Sequence, residues 1–124
     1  MARVLALVPD LLFGSRLQGS LVAAGHEIEL VGDEDQLRAR LTEHEPAADV
    51  LIVDLTQADF DGTGIVASLL RGGELERTRT LGFYAHVDAA ARERAERAGF
   101  DVVVPRSRIA REGAQLVTVL ATRH

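Results

Sequence analysis

LIVDLTQADFDG, residues 51–62, contains a run of apolar residues that ends in a single acid and leads into a polar loop. The longer segment 49–55 is predicted to be a central β-strand, because both of its faces are apolar. Asp54 is then at the carboxyl end of that strand, and Asp59 and Asp61 lie in the following loop. In open parallel sheets, ligands and reactive groups gather at this end. The sequence therefore indicates a candidate site at Asp54.

Apolar runs and helical patterns alternate along the rest of the chain, which is typical of a parallel sheet covered by helices. The predicted strands are 3–9, 26–32, 49–55, 79–86 and 100–105. The predicted helices are 10–25, 36–45, 62–73, 89–99 and 110–123. Right-handed crossovers between such units favour one α/β domain over residues 1–124, with a doubly wound, flavodoxin-like, five-stranded parallel sheet of order 2-1-3-4-5 and five helices.

Composition excludes several classes of protein. The chain has 124 residues and no cysteine, which excludes disulfide scaffolds and thiolate metal sites. Residues 27–61 carry 11 acids against two arginines, a net charge of −9, and this acidic balance argues against nucleic-acid binding. No apolar segment approaches the roughly 20 residues that span a membrane, and the first ten residues do not form a signal peptide. We therefore expect a cytoplasmic protein that makes no membrane contact.

Around DLTQADFDG, the chain resembles the receiver domain of bacterial response regulators. The pattern of that family has an acceptor aspartate at the end of the third strand and an Asp-Gly pair downstream, which Asp54, Asp61 and Gly62 match. Ala58 stands where the family has a proline. The resemblance implies that Asp54 is the phosphoacceptor, with Asp10 and Asp61 as acidic support. It also implies that Asp10 and Asp54 are the ligands of a weakly held or absent Mg²⁺.

Three chemical features of the family are altered in this chain. Receivers have two acids after the first strand, where this chain has only Asp10 beside a proline. They have a small hydroxyl residue before an alanine after the fourth strand, where this chain has Tyr84 and Ala85. They have a lysine after the fifth strand, where this chain has Val104, and it contains no lysine at all. We therefore expect an atypical, or pseudo-, receiver in which phosphorylation of Asp54 is lost or inefficient, with any switch running through Tyr84 and Ala85.

Arg106, Arg108 and Arg111 form a basic cluster after the fifth strand. In receivers this region belongs to the face that meets partners, so the resemblance implies an interaction surface for a signalling protein or a second copy of the chain. Arginine is also enriched at interfaces. The apolar set of the last helix is wider than one buried stripe requires, and this favours a homodimer. That set comprises Leu116, Val117, Val119 and Leu120.

Structural roles for the same residues remain open. Asp54 could cap the following loop by accepting hydrogen bonds from backbone amides. Asp59 and Asp61 could form a turn and start a helix. Tyr84 could be a partly buried ring packed over the end of the sheet, with His86 exposed in the loop.

Two other functions also remain open. GTGIVA, residues 62–67, fits the G-x-G-x-x-A form of a dinucleotide loop, although such a loop should follow the first strand. Because of this motif, a flavodoxin-like protein that binds a small ligand or nucleotide is the second hypothesis. An enzyme is the third, since no nucleophile and base occur at a recognisable spacing. A metal site formed by Asp10, Asp54 and His86 is geometrically conceivable.

Overall fold

A computed structural model describes residues 1–43 and 47–122 of the chain. The strands are β1 (Arg3–Leu7), β2 (Glu27–Val31), β3 (Val50–Asp54), β4 (Arg79–Tyr84) and β5 (Val102–Pro105). The helices are α1 (Leu11–Ala23), α2 (Glu34–Glu43), α3 (Gly62–Arg71), α4 (Ala89–Ala98) and α5 (Arg106–Ala121). The strands form one parallel sheet of order β2-β1-β3-β4-β5. The predicted fold class and strand order are confirmed.

Two apolar layers cover the two faces of the sheet. On one face, Phe13, Leu17 and Leu21 of α1 pack with Ile109 and Val117 of α5. On the other face, the buried residues of α2, α3 and α4 form a second cluster with the opposite side of the strands, through Leu37, Val66, Leu69 and Ala95. β3 is buried at every position, as its apolar sequence predicts for a central strand.

Aspartates begin three of the helices and glycines follow two of them. Asp10, Asp61 and Asp88 are the N-caps of α1, α3 and α4, and each accepts a hydrogen bond from the backbone three residues later. Gly25 and Gly99 follow α1 and α4 with φ of 92° and 110°, a left-handed conformation that only glycine adopts without strain. Local sequence therefore sets where these helices start and stop.

Some element boundaries differ from the prediction. β1 ends at Leu7 and β4 at Tyr84, each two residues earlier than predicted. α2 begins at Glu34, because the Asp33 side chain accepts a hydrogen bond from the backbone of Gln36 and the helix dipole favours acids in the first turn. The predicted ends of the second and last helices, at 45 and 123, lie outside the described residues.

The largest difference is the start of α5, which begins at Arg106 rather than at 110. The extended backbone of Pro105 leads directly into the helix, and Ile109 in the first turns is buried in the core. Glu112 has φ −125° and ψ 15°, so a kink separates the segment 106–111 from the rest of α5. The burial of Ile109 therefore stabilises as helix a segment that the sequence analysis left between the fifth strand and the last helix.

Arginine side chains hold α2 against its neighbours. Arg38 donates to Glu34 and also pairs with Glu74 at 3.2 Å, before β4. Arg40 pairs with Glu29 of β2. The hydrogen bonds that Arg38 and Arg40 donate to these glutamates raise the pKa of both guanidinium groups. Within the described residues, no helix is both long enough and apolar enough to span a bilayer.

Candidate functional site

Asp54 ends β3 at the carboxyl edge of the sheet, where the sequence predicts it. The strand register pairs Asp54 with Phe83 of β4. Extending the β1–β3 register by one residue places Val8 on the other side. Residues opposite one another in parallel strands point to the same face, so Val8, Asp54 and Phe83 form one row. The acid therefore lies between two buried apolar residues.

The Asp54 side chain is buried, with 1% of the residue exposed. Its Oδ1 accepts hydrogen bonds from the Thr56 backbone N–H at 2.7 Å and from Thr56 Oγ1 at 2.6 Å, which is the loop-capping role left open by the sequence. Its Oδ2 is buried and has no hydrogen-bond partner among the described residues. An unpaired buried carboxylate oxygen costs free energy, so stability alone does not explain why this acid is present.

Asp10 lies at the same edge of the sheet and is engaged through both of its oxygens. Oδ1 accepts from the Phe13 backbone N–H at 3.1 Å, and Oδ2 accepts from Arg106 Nη2 at 3.3 Å. The Arg106 guanidinium also lies 4.4 Å from the centroid of the Phe13 ring, a cation–π contact. Phe13 in turn stacks on Phe83, with ring centroids 5.0 Å apart. Arg106, Phe13 and Phe83 thus form a stack that ends in the row containing Asp54.

Asp61 is exposed and starts α3, where its Oδ1 accepts from the Gly64 backbone N–H at 2.9 Å. Asp59 is also exposed in the loop before it. Both positions therefore fit the turn and helix-start roles that the sequence left open. A role for Asp61 as acidic support of Asp54 stays a prediction.

A groove of about 460 Å³ lies over the loop between β3 and α3. Its charged lining residues are Asp59, Asp61, Asp88 and Arg94. Three acids against one arginine make this groove unfavourable for an anionic phosphate group. The glycine motif at 62–67 lies within α3 after the third strand, not after the first. It therefore does not occupy the place of a dinucleotide loop.

Tyr84 and Ala85 lie at the end of β4, as the sequence predicts. Tyr84 is buried and pairs in register with Pro105 of β5. Ala85 is half-buried, and its carbonyl accepts a hydrogen bond from the Asp88 backbone N–H at 2.8 Å. His86 is exposed. The buried Tyr84 ring and the exposed His86 agree with the structural role that the sequence left open for them. A switch through Tyr84 and Ala85 stays a prediction.

No protein-family model and no curated protein matches the chain. Solved structures do match it. The receiver domain of the Francisella response regulator 1452 has a TM-score of 0.85 at 15% identity, over 99% of this chain and 98% of that one. A putative response regulator from Chloroflexus aurantiacus has a TM-score of 0.86 at 18% identity, over 98% of each chain. The non-phosphorylated HemR receiver domain from Leptospira biflexa has a TM-score of 0.79 at 17% identity, over 100% of this chain and 97% of that one.

The chain has the receiver-domain fold. This similarity covers 99% to 100% of the chain in these matches. It confirms the architecture expected from the sequence. Sequence identities of 15% to 18% establish the fold, whereas the chemistry of the site depends on the side chains that this chain carries.

The receiver fold implies a Mg²⁺ beside the acceptor aspartate, and the donor set present here does not fit that ion. Mg²⁺ requires a near-octahedral shell of oxygens. Asp54 offers one uncommitted oxygen, whereas both oxygens of Asp10 are committed to Phe13 and Arg106. Over residues 1–43 and 47–122, no three His, Asp or Glu side chains come together to hold a metal. The hypothesis of a metal site formed by Asp10, Asp54 and His86 is therefore wrong.

The position that the resemblance assigns to the receiver lysine is also apolar. Val104 of β5 is buried and pairs in register with Phe83. It extends the row of Val8, Asp54 and Phe83 across the sheet. Because valine carries no charge, this position contributes nothing to neutralising a phosphoryl group at Asp54. The residues that share this row with Asp54 are therefore all apolar.

The three arginines of the predicted interaction face have different environments. Arg106 contacts Asp10 across to α1, as described above. Arg108 donates to Glu112 at 3.2 Å within α5. Arg111 is exposed, and the described residues provide no ion-pair partner for it. The structure therefore separates Arg106 from the other two, and the interaction face stays a prediction.

The apolar set of α5 is divided between the core and the surface. Val117 and Leu120 are buried, Leu116 is half-buried, and half of Val119 is exposed. A groove of about 330 Å³ runs beside Leu116 and Val119 and reaches Val102 of β5. Only the outer part of the set is accessible to a partner, and the homodimer stays a prediction.

Sequence analysis missed the contributions of Thr56, Phe13 and Phe83 to this site. Thr56 carries a local signal, because an acid followed two residues later by a threonine is able to close a side-chain turn. No local sequence signal predicts the stack of Phe13 and Phe83 under Arg106, because its members come from α1, β4 and α5. Their contact depends on how the two helices pack on the sheet.

Proposed function

We propose that this protein is an atypical receiver that acts in signal transduction by contacting another protein, with phosphorylation of Asp54 lost or inefficient. The burial of Asp54 is the observation that carries this proposal. Phosphoryl transfer requires that the donor reaches the carboxylate and that its charge is neutralised on arrival. Here the acid is enclosed, Asp10 is already paired with Arg106, and Val104 occupies the lysine position.

Exposed apolar side chains support a role in protein contact. Leu11, Leu12 and Val22 of α1 are 78%, 66% and 56% exposed. Large apolar residues left exposed on a helix are available to a binding partner. Together with Arg111 at the start of α5, they favour a protein partner over nucleic acid, for which the acidic chain is poorly suited. We accordingly propose a cytoplasmic signalling module and not an enzyme.

The test of this proposal is treatment of the purified chain with acetyl phosphate and Mg²⁺, followed by intact mass measurement. We expect no stoichiometric phosphorylation, because the donor cannot approach a side chain that is 1% exposed. We also expect Mg²⁺ with beryllofluoride, which mimics the acyl phosphate, to leave the melting temperature unchanged, since a ligand stabilises only a state that it binds.

Asp54→Asn is the matched control for both measurements. It removes the acceptor and keeps the size and one side-chain oxygen. Phosphorylation of the unmodified chain that disappears in Asp54→Asn would show that the buried site opens and transfers phosphate, and the proposal would then be wrong. Labelling that persists in Asp54→Asn would arise elsewhere and leave the assignment of Asp54 as non-phosphorylated intact.

We further propose that the outer face of α5 contacts a second copy of the chain. The supporting observation is the groove beside Leu116 and Val119, which Arg108 and Glu112 also line. Analytical ultracentrifugation is expected to show a sedimentation coefficient that rises with concentration, and Val119→Asp is expected to abolish that rise, because a charge in an apolar contact is costly. Val87→Asp, at an exposed valine in the loop after β4, is the control. A monomer at all concentrations would contradict this part of the proposal.

A further inference from the structure

We propose that Arg106 is an internal counter-ion that holds the strand-end site in one conformation without a metal. This inference rests on the proposed function, because it explains how a receiver-like domain presents a constant binding surface without phosphorylation. The groups involved are Asp10 at the start of α1, the Phe13 ring, and the first turns of α5.

The contacts of Arg106 connect two helices that begin 95 residues apart in the chain. Its Nη2 pairs with Asp10 Oδ2 at 3.3 Å, and its guanidinium covers the Phe13 ring at 4.4 Å. Both charged side chains are only partly exposed, 45% for Arg106 and 32% for Asp10. Because arginine remains charged at any physiological pH, it gives Asp10 a positive partner that does not depend on a metal ion. A cation that approached Asp10 would have to displace this arginine.

The backbone of α5 explains why this contact controls a segment and not a single side chain. The kink at Glu112 separates residues 106–111 from the remainder of the helix. Pro105 occupies the N-cap and provides no side-chain hydrogen bond to the first turn. The segment 106–111 is therefore held by the buried Ile109 and by the contacts of Arg106. Without the latter, the segment loses its only described polar side-chain link to α1 and retains the apolar packing of Ile109.

Close packing beyond the kink keeps the rest of α5 in place. A Cβ atom at Gly113 would lie 3.3 Å from Leu17 Cδ1 and 3.6 Å from Leu21 Cδ1, so the two helices approach closely there. Val117 and Leu120 are buried further along. Loss of the Arg106 contact is therefore expected to loosen 106–111 and to leave 113–121 unchanged.

Amide hydrogen exchange on the full chain tests this inference. In Arg106→Gln we expect exchange at 109–111, the amides of this segment that donate within the helix, to accelerate roughly threefold to tenfold, the effect of losing one partly exposed ion pair and one cation–π contact. Asp10→Asn should accelerate the same amides, because asparagine still caps α1 but cannot pair with Arg106. Because the start of α5 is distant in the chain from Asp10, faster exchange there would distinguish the counter-ion role of the pair from simple capping of α1. Unchanged exchange in β1, β3 and β4 shows that the variants are folded.

Arg111→Gln is the matched control, since it removes an arginine from the same segment without breaking an ion pair with the described residues. Exchange in Arg106→Gln equal to that in Arg111→Gln would overturn the inference. So would wild-type exchange at 109–111 in Asp10→Asn. Stabilisation of the unmodified chain by Mg²⁺ and beryllofluoride would contradict the proposed function instead, and the exchange data would still decide whether Arg106 connects the two helices.

Discussion

Replacement of Phe83 by alanine is expected to lower the free energy of unfolding by about 4 kcal/mol. Phe83 is fully buried in β4, and its ring packs on Phe13 at a centroid distance of 5.0 Å and an interplanar angle of 38°. Truncation leaves a cavity in a core that is packed on both sides by helices, and it removes a contact between aromatic rings. Urea denaturation followed by far-ultraviolet circular dichroism measures this loss.

Phe83→Leu is the control for the size of the cavity. It keeps most of the apolar volume and is expected to cost about 1 to 1.5 kcal/mol. Val87→Ala is the control for position, since Val87 is 90% exposed in the loop after β4 and its truncation should change stability by less than about 0.5 kcal/mol. A loss below about 2 kcal/mol for Phe83→Ala would mean that α1 moves in to fill the space. The expectation that Phe13 stays in place when the Phe83 ring is removed would then be wrong.

Gly62→Ala is expected to cost about 3 kcal/mol of unfolding free energy. An ideal Cβ at Gly62 would lie 2.6 Å from Val53 Cγ1 and 3.0 Å from the backbone oxygen of Asp54. Val53 is buried and β-branched, and the Asp54 carbonyl belongs to the central strand, so neither can yield easily. The methyl group would therefore push the start of α3 away from β3. Thermal and urea unfolding of the variant measure the cost.

Gly19→Ala is the matched control for this substitution. Gly19 is an exposed position within α1 where a Cβ would meet nothing within 4 Å, so alanine there should raise stability by about 0.5 to 1 kcal/mol through its helix propensity. Gly62→Ala with wild-type stability would show that α3 starts further from the strand than the structure places it. The close approach also gives a physical reason for a glycine after Asp61, independent of any phosphoryl chemistry.

The local sequence predicts much of the fold because each relevant signal spans only a few residues. The apolar run before Asp54 indicates a central strand, and Asp10, Asp61 and Asp88 mark helix starts. Alternation of strands and helices, with the handedness of the crossovers, then limits the strand order. The start of α5 was missed because its first turns are stabilised by the burial of Ile109, which is a tertiary contact.

The candidate site is less predictable than the fold. Sequence analysis placed Asp54 at the end of β3 and identified the positions around it as chemically unusual for a receiver. It did not show that Asp54 is enclosed, because burial depends on what Val8 and Phe83 contribute from neighbouring strands. It grouped Arg106 with Arg108 and Arg111, and it did not show that this arginine pairs with Asp10.

The sequence alone therefore determined the order of the elements, the strand that carries Asp54, and the absence of lysine from the chain. These follow from residue identity and short-range periodicity. Only the tertiary structure decided that Asp54 is buried and that Asp10 is neutralised by Arg106. Those properties arise where α1 and α5 pack together over the carboxyl edge of the sheet, and the pairing of residues so distant in the chain leaves no local pattern.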